Sequence, residues 1–426
     1  MVNDRRLDLY LDGTLAGRLA QSSSGDLSFV YDDAYRALPD ATPLSLAMPL
    51  ATARHRKRVV LPWLQGLLPD NADALRAIAR RFQVSANNPF ALLEYVGRDV
   101  AGAVQVVPLG EPAPDAGRRG VVRAVSDDQV SRMLSQVVGE YTEGASYADD
   151  LGRFSLAGAQ PKVALHRLGN GGWGVPEDAT PTTHILKPVA GALRGVDVVE
   201  QMTMAAAAYL GNDVARTEVA VIGDWQVLIS ERYDRRQVRG VWHRLHQEDF
   251  CQALSVPPDK KYQQQDGGPG IARISELIRS LPFAADRAAV GAAFYKAFVF
   301  NVVAGCTDAH AKNYSLMLEG RSVRLAPLYD LLTYAGYWDG TSRINSVMSV
   351  AGDYALDRIS VRQLVEAGRR FGVPTPEAEG VVDSVRRGVV DAFATARESL
   401  VRDVPAAAPV ADGIVEGIRD LPLVAG

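Results

Sequence analysis

The sequence predicts an α+β protein of more than one domain, and three observations support that prediction. Hydrophobic residues make up 47% of the 426 residues, which is enough apolar material for large cores. Strand-like alternation marks the first hundred residues and residues 153–232, whereas the apolar spacing is helical from about residue 246 onward. Residues 109–120 are rich in Pro and Gly and almost lack large apolar side chains, so they are expected to form a linker.

Residues 1–108 are predicted to form an N-terminal α+β domain. Leu7, Leu9 and Leu11 alternate with polar residues, and Asp12-Gly13 can turn the chain so that residues 15–19 return as a second strand. Residues 27–31 are expected to add a third strand. Two helices are predicted next, one capped after Pro69 by Asp70-Asn71 and one starting at Asn88-Pro89.

Residues 121–230 are predicted to form a β-rich lobe and residues 231–426 a helical lobe. Ser126 and Gln129 make a capping box, and the strand-like segments VALHRL, HILKP, EVAVIG and WQVLIS surround an Ala-rich helix over 198–210. The second lobe should contain an apolar helix over 286–304 and a late helix over 376–402. Residues 405–410 are predicted to be a weakly structured Ala/Pro tail.

Charge and cysteine content exclude several classes of protein. Lys+Arg 46 against Asp+Glu 50 leaves a net charge of −4, which disfavours nucleic-acid binding by this chain alone. The two cysteines, Cys251 and Cys306, form no CxxC spacing, so neither a disulfide framework nor a Cys-rich metal site is expected, and a reducing cytoplasm fits. The N-terminus has no apolar run behind its arginines, and no membrane-spanning segment is expected.

The most informative segment is CTDAHAKNYS, residues 306–315, which follows the apolar helix. Asp308 and Asn313 are five positions apart, the separation found in the protein-kinase catalytic loop. There, the carboxylate accepts the proton of an attacking hydroxyl and the amide oxygen ligates Mg²⁺, and Lys312 could neutralise phosphoryl charge. The alternative is a capped loop in which the polar side chains only satisfy the turn backbone.

Asp330 adds a second carboxylate, seventeen residues after Asn313, at the end of LAPLYD. Kinases hold their metal at a carboxylate in this place, although the glycine of the kinase Asp-Phe-Gly is missing here. A surface Asp after a strand is the alternative interpretation. Lys187, in the short apolar strand HILKP, is expected to need an anionic partner, which could be ATP phosphate together with Glu200 or, in competition, Asp197.

The segment FSLAGAQPK, residues 154–162, has small residues that let backbone amides approach phosphates closely. It matches neither a Walker motif nor GxGxxG, and an ordinary turn is the alternative. His310 could suggest a metal site, but a histidine that stabilises the loop is the preferred interpretation, since no second His lies nearby in the sequence.

Taken together, these segments resemble the HipA family of serine/threonine kinases, the toxin halves of bacterial toxin–antitoxin modules. The resemblance covers nearly the whole chain and rests on ordered matches: SLAMPL, GLLPDN, FSLAGAQPK, PTTHILK, ISERYDR, HQEDFCQ, DGGPGIARI, GCTDAHAKNYS and LAPLYD. It implies a bilobed, protein-kinase-like α+β fold with an additional N-terminal α+β domain.

The resemblance also implies roles for individual residues. Asp308 would be the catalytic base, assisted by Lys312, while Asn313 and Asp330 would hold Mg²⁺. Ser155 would be the autophosphorylated serine, whose modification expels the phosphate loop, and Pro161 departs from the acidic residue familiar at its position. The residues implied to contact ATP are Ala157, Gly158, Ala159, Gln160, Lys162, Lys187, Glu231, Tyr233, His310, Asn313, Tyr329 and Asp330.

The implied activity is transfer of the γ-phosphate of Mg·ATP to a protein, an aminoacyl-tRNA synthetase of glutamyl type, which arrests translation and growth. The implied partner is a HipB-like helix-turn-helix antitoxin, with DNA bound only through that complex, in the cytoplasm. Two alternatives remain open at this stage. One is a kinase of small molecules on a similar scaffold, and the other is a co-repressor scaffold with vestigial catalysis.

Overall fold

The structure, a computed structural model, describes residues 4–111, 121–143, 157–177, 180–190 and 195–425. They belong to two compact units. The first unit comprises residues 1–190, 220–259 and 317–321, and the second comprises residues 191–219, 260–316 and 322–426. None of the described helices is both long enough and apolar enough to cross a membrane.

Strands occur in both units and are numbered along the chain. They are β1 (Arg5–Leu11), β2 (Thr14–Gln21), β3 (Leu27–Tyr31), β4 (Arg54–Arg56), β5 (Val104–Pro108), β6 (Val122–Val125), β7 (Val163–Arg167), β8 (Trp173–Pro176), β9 (His184–Pro188), β10 (Thr217–Ile222), β11 (Trp225–Glu231), β12 (Arg235–Val238), β13 (Val241–Arg244), β14 (Gln247–Asp249), β15 (Ser315–Glu319), β16 (Ser322–Leu325), β17 (Asn345–Val350) and β18 (Asp353–Ala355).

The α-helices are numbered in the same way. They are α1 (Asp33–Arg36), α2 (Lys57–Gln65), α3 (Ala72–Phe82), α4 (Pro89–Val96), α5 (Asp127–Glu143), α6 (Val196–Tyr209), α7 (Phe250–Ala253), α8 (Gln263–Asp266), α9 (Ile271–Ser280), α10 (Ala284–Val303), α11 (Val361–Arg370), α12 (Thr375–Asp403), α13 (Ala408–Asp420) and α14 (Pro422–Ala425). Short 3₁₀ helices cover Pro258–Lys260, Ala311–Asn313, Ala335–Tyr337 and Pro405–Ala407.

The N-terminal part of the first unit is an antiparallel sheet in the order β4-β3-β2-β1-β5. The predicted hairpin is confirmed: β1 pairs with β2, and Asp12 and Gly13 turn the chain at φ 46° and 80°. The predicted third strand is β3. Short β4 and the strand β5 were not predicted, because the pattern of so few residues is not distinct from that of a loop.

Local capping explains where the helices of this unit start. The side chains of Asn71 and Asn88 accept hydrogen bonds from the third amide of α3 and of α4, at 2.9 and 3.2 Å. Ser126 and Gln129 bond reciprocally at the start of α5, as the sequence predicts. Each of these caps satisfies an amide that has no partner within its own helix.

The second sheet of the first unit has the order β10-β11-β9-β7-β8-β6. It contains all four strand-like segments that the sequence analysis named, and its buried face packs on α5 through residues such as Leu134, Leu165 and Leu186. Antiparallel register places Leu186 opposite Val163 and Lys187 opposite Leu228. The lysine is therefore carried by a central strand with neighbours on both sides.

A buried cluster of charges joins the N-terminal part of the first unit to the strands β12 and β13. Asp99 forms ion pairs with Arg235 at 2.9 Å and with Arg244 at 3.0 Å. Asp234 forms ion pairs with Arg232 at 2.9 Å and with Arg235 at 3.2 Å. All five side chains are almost fully buried. Buried ions are tolerated only when they are paired and hydrogen-bonded, which is the case here.

The backbone completes this cluster. Gly102 N donates to Asp234 at 2.7 Å, and Thr182 donates to Asp99 through its amide and its hydroxyl. Burial alone would raise the pKa of Asp234, but Arg232 and Arg235 together outweigh burial and lower it to about 2. The pKa of Asp99 is also held well below its usual range, because the three arginines outweigh its burial. Both carboxyl groups are therefore charged at neutral pH.

The second unit is mainly helical, as predicted, with α12 packed against α6, α10, α11 and α13. The predicted apolar helix is α10, and the predicted late helix is α12. Contacts inside this bundle are close: a Cβ on Gly291 would lie 2.2 Å from the carbonyl oxygen of Phe371. The structure thus requires glycine where α10 meets the end of α11.

Two predictions for the C-terminal region are wrong. Residues 405–410 are not a tail, since they start a helical segment in which Ala411, Ile414, Ile418 and Leu421 are buried at helical spacing. Pro409 stands in the first turn of α13, where its missing amide donor costs nothing. The region after residue 246 also contains β14 to β18, strands of three to six residues that lie among the helices.

We expect Asp99→Asn to destabilise the first unit by about 3–5 kcal/mol, because it leaves three buried arginines with a single carboxylate. The measurement is the midpoint of urea unfolding. Asp73→Asn, which removes the partner of exposed Arg76, is the matched control and should cost less than about 1 kcal/mol. An equal loss in both variants would contradict the role of the cluster.

The cluster should also make the free energy of unfolding depend on pH in the acidic range. The pKa of Asp234 is about 2 in the folded chain and about 3.9 when unfolded. Its contribution to stability is therefore complete above pH 4 and disappears as the pH falls toward 2.

Candidate active site

The loop that follows α10 is positioned by how that helix ends. Gly305 adopts φ 65°, the left-handed conformation that favours glycine, and the amide of Cys306 donates to the carbonyl of Asn301 at 2.8 Å. Asn301 is itself buried and donates through its side chain to the Tyr314 hydroxyl at 2.6 Å. The beginning and the end of the loop 306–314 are thus tied to the same turn of α10.

Inside the loop, the backbone of Asp308 is the fixed point. Its carbonyl accepts the amide of His310 at 2.8 Å and the side-chain amide nitrogen of Asn313 at 2.8 Å. The amide of Asn313 donates in turn to the carbonyl of His310 at 2.9 Å, within the short 3₁₀ helix Ala311–Asn313. The structure therefore brings Asp308 and Asn313 together, as their spacing predicts.

Side-chain exposure in this loop differs sharply from residue to residue. Asp308 is exposed, whereas His310, Lys312 and Asn313 are 2%, 5% and 5% exposed. The bond from Asn313 uses its amide nitrogen, which leaves its amide oxygen as the atom suited to a metal ion. Carboxylate and amide oxygens are the ligands that Mg²⁺ prefers, so Asn313 and Asp330 fit that ion by their chemistry.

Asp330 is held close to this loop by its neighbour Tyr329. The Tyr329 hydroxyl donates to the carbonyl of Lys312 at 2.9 Å and bonds the Ser315 hydroxyl at 2.7 Å. Leu328 forms a parallel bridge with Val214, with two backbone bonds of 2.8 Å. The two residues that precede Asp330 are therefore anchored.

The backbone of Asp330 is itself strained. Its φ is 58°, in the left-handed region that a residue other than glycine enters at a cost of about 1–2 kcal/mol. Such conformations persist where the surroundings impose them, and they concentrate at functional sites. The left-handed conformation therefore falls on the candidate metal ligand itself.

Tyr262 is a residue of this site that the sequence analysis missed. Its hydroxyl donates to Oδ1 of Asp308 at 2.7 Å, and its ring meets the imidazole of His310 edge-on at 4.9 Å. Forty-six residues separate Tyr262 from Asp308 in the chain. No spacing rule connects them, so only the folded chain reveals the contact.

In the first unit, the predicted phosphate loop is closed by its own lysine. Lys162 is 9% exposed and donates through Nζ to the carbonyl of Ala157 at 2.8 Å. Gly158 has φ 113°, and its carbonyl accepts the amide of Asp70 at 3.1 Å. The loop therefore rests on the GLLPDN segment of the N-terminal part. Ala159 and Gln160 lie within this turn, whereas Ser155 lies outside the described residues.

The remaining predicted nucleotide contacts in this unit lie on β9 and β11. Lys187 is half-buried in β9, and Glu231 is exposed at the end of β11, opposite His184. The next residue, Arg232, belongs to the buried charge cluster, and Tyr233 donates through its hydroxyl to Gln247. The cluster thus holds the backbone of residues 231–233.

Two family models and several known proteins match most of this chain. A family model for the HipA N-terminal domain matches residues 7–107, and one for the HipA-like C-terminal domain matches residues 154–393. "Putative kinase Y4mE" of Sinorhizobium fredii is 38% identical over 347 residues, 79% of each chain. "Serine/threonine-protein kinase toxin HipA" of Shewanella oneidensis is 28% identical over 377 residues, 86% of this chain and 84% of that protein.

Among solved structures, HipA of Shewanella oneidensis, in its complex with HipB and operator DNA, superposes with a TM-score of 0.79. The two chains are 24% identical, and the match covers 97% of each. The fold and the relatives define a protein kinase with a kinase-like α+β core and an additional N-terminal domain. More specifically, the chain belongs to the HipA family.

We expect Gly158→Ala to disrupt the closed loop. A Cβ there would lie 2.4 Å from Nζ of Lys162, and φ 113° is essentially confined to glycine. The loss should be roughly 1–3 kcal/mol in the free energy of unfolding. Gly169→Ala is the control, since no atom lies within 4 Å of its Cβ and its φ is not positive. Equal stability of the two variants would show that the loop is not held as described.

Proposed function

We propose that this chain transfers the γ-phosphate of ATP to serine or threonine hydroxyls of a protein and acts as a growth-arresting toxin. The observation that supports the proposal most strongly is the geometry of the loop 306–314. One backbone carbonyl, that of Asp308, organises the loop and leaves the Asp308 carboxylate exposed while its neighbours are buried. A general base must reach a substrate, whereas the groups that support it need to be rigid.

In this proposal, Asp308 accepts the proton of the attacking hydroxyl. The hydroxyl oxygen forms a bond to the γ-phosphorus, the bond from that phosphorus to the bridging oxygen breaks, and ADP leaves with the electron pair. The Tyr262 hydroxyl orients the carboxylate through Oδ1. Lys312 is the cation assigned to the charge of the transferring group.

The remaining residues are assigned to nucleotide and metal. The amide oxygen of Asn313 and the carboxylate of Asp330 would hold Mg²⁺, which neutralises phosphate charge when it is bound. In the first unit, Lys187 and the loop 157–162 are assigned to the ATP phosphates, and the backbone at Glu231 and Tyr233 is assigned to adenine. In the second unit, His310 and Tyr329 are assigned to further nucleotide contacts.

For the target, we infer an aminoacyl-tRNA synthetase, with the glutamyl enzyme as the first candidate, acted on in the cytoplasm. This follows from membership of the HipA family. Labelled ATP added to a bacterial lysate separates the possibilities: label in a synthetase supports the inference, label in other proteins overturns the target, and label in metabolites alone overturns protein phosphorylation.

For the partner, we infer a HipB-like helix-turn-helix antitoxin. The related Shewanella oneidensis HipA has been solved with HipB and operator DNA. With its net charge of −4, this chain should contact DNA only through such a complex. Specific, salt-sensitive operator binding by the chain alone, as tight as that of the complex, would contradict this.

We expect Asp308→Asn to reduce phosphate transfer roughly 10²–10⁴-fold, since it removes the base and preserves size and the hydrogen bond from Tyr262. Toxicity on induction should fall in parallel, and Asp330→Asn should weaken Mg²⁺ binding and also lower toxicity. Asp391→Asn, at an exposed position of α12, is the matched control. Full activity of Asp308→Asn would remove Asp308 from the role of base.

We also propose that Ser155 is autophosphorylated and that the modification prevents ATP binding. A phosphoserine carries about −1.5 to −2 charges and would compete for donors that otherwise meet ATP. Mass spectrometry should find phosphate on Ser155 in the active chain and not in Asp308→Asn. Equal phosphate in both would mean that another kinase is responsible, and unchanged ATP affinity after modification would overturn the switch.

A further inference from the structure

A cavity of about 400 Å³ in the second unit adjoins Asp308. Thr307 and Tyr262 form one wall, and Tyr262 is the residue whose hydroxyl donates to Oδ1 of Asp308. Pockets that hold ligands are typically ~300–1,000 Å³, so the size is sufficient for a segment of a larger molecule. None of the ATP contacts assigned above is among its lining residues.

Ser342 and Arg343, which also line the cavity, belong to a turn that hydrogen bonds within the protein hold in place. Asp339 accepts the amides of Thr341 and Ser342 at 2.9 and 2.7 Å and the Ser342 hydroxyl at 2.8 Å. Trp338 donates through its indole to the carbonyl of Ser342 at 2.6 Å. Arg343 follows directly, so its backbone position is set without any ligand.

The start of β17, which belongs to a two-stranded sheet, also lines the cavity. β17 pairs with β18 at Asn345 and Val350, with an irregular register between them. On α8, the side chain of Gln263 accepts the amide of Ser349 at 2.9 Å, as a neighbouring strand would. Asn345, Ser346 and Val347 of β17 line the cavity, and among the described strands only β18 pairs with β17, so an extended polypeptide could add to β17 as a further strand.

The charge of the described lining residues indicates which charge the docked polypeptide should carry. Among the described residues that line the cavity, Arg343 alone is charged, and the others are amides, hydroxyls, tyrosines and two aliphatic side chains. Arg343 meets Asp357 at 3.9 Å, with both side chains more than half exposed. An ion pair this long and exposed is weak, so a carboxylate of a ligand can replace Asp357 at little cost.

We propose that this cavity docks the protein substrate. An extended segment adds to the edge of β17, an acidic side chain of that segment pairs with Arg343, and the serine or threonine to be modified reaches Asp308. This inference rests on the proposed kinase activity and adds the class of sequence that the enzyme selects.

The test uses the full-length chain, Mg·ATP and a library of serine peptides with Glu, Gln or Lys at each flanking position. The wild type should prefer Glu to Lys at one position by roughly two- to fivefold, as expected for one exposed charge pair. Arg343→Gln should lose the preference and Arg343→Glu should reverse it. Arg362→Glu, an exposed charge reversal in the first turn of α11, should keep the preference.

Each other outcome points to a definite failure. If Arg343→Glu phosphorylates the library with wild-type selectivity, the docking inference is wrong and the kinase activity stands. If the chain labels a lysate protein but no library peptide, the docking inference is also wrong, because a short segment then does not suffice. If the wild type transfers no phosphate to any protein, the proposed function itself fails.

Discussion

The first unit depends on one interaction, the buried pairing of Asp99 and Asp234 with Arg232, Arg235 and Arg244. Because both carboxylates stay charged in the interior, all of these partners must be in place together. The pairing joins the loop at residues 99–102 to the strands β12 and β13. It therefore fixes the backbone next to Glu231 and Tyr233, residues assigned to the nucleotide. Arg232 of the cluster thus stands between two residues that are proposed to contact the nucleotide.

The second unit positions its chemistry in another way. There, the apolar helix α10 carries the loop 306–314, and hydrogen bonds to backbone carbonyls shape it. This arrangement leaves the Asp308 side chain exposed, and the Tyr262 hydroxyl donates to its carboxylate. The strained backbone of Asp330 belongs to the same arrangement, since the two residues that precede it, Leu328 and Tyr329, are anchored there. The hydrogen bonds that shape the loop are thus made mainly by backbone carbonyls.

Much of the fold was predictable because its signals are local. Asn71 and Asn88 cap helices within three residues of themselves, and Asp12-Gly13 closes a hairpin between adjacent strands. The missed elements lack such signals. β17 and β18 are short, and the buried stripe of α13 follows a Pro/Ala stretch typical of a tail. Burial against α12 stabilises α13, and no local pattern at residues 405–410 reports that contact.

By itself, the sequence determined the family, the α+β character and the separation of Asp308 from Asn313, because each depends on order and spacing along the chain. Only the tertiary structure decided that the Asn313 side chain bonds the Asp308 backbone, that Asp330 adopts a left-handed conformation and that Tyr262 contacts Asp308. The cavity beside Asp308 belongs with these. The contact of Tyr262 and the cavity join residues tens of positions apart, and their distances are set by packing, which spacing along a chain does not specify.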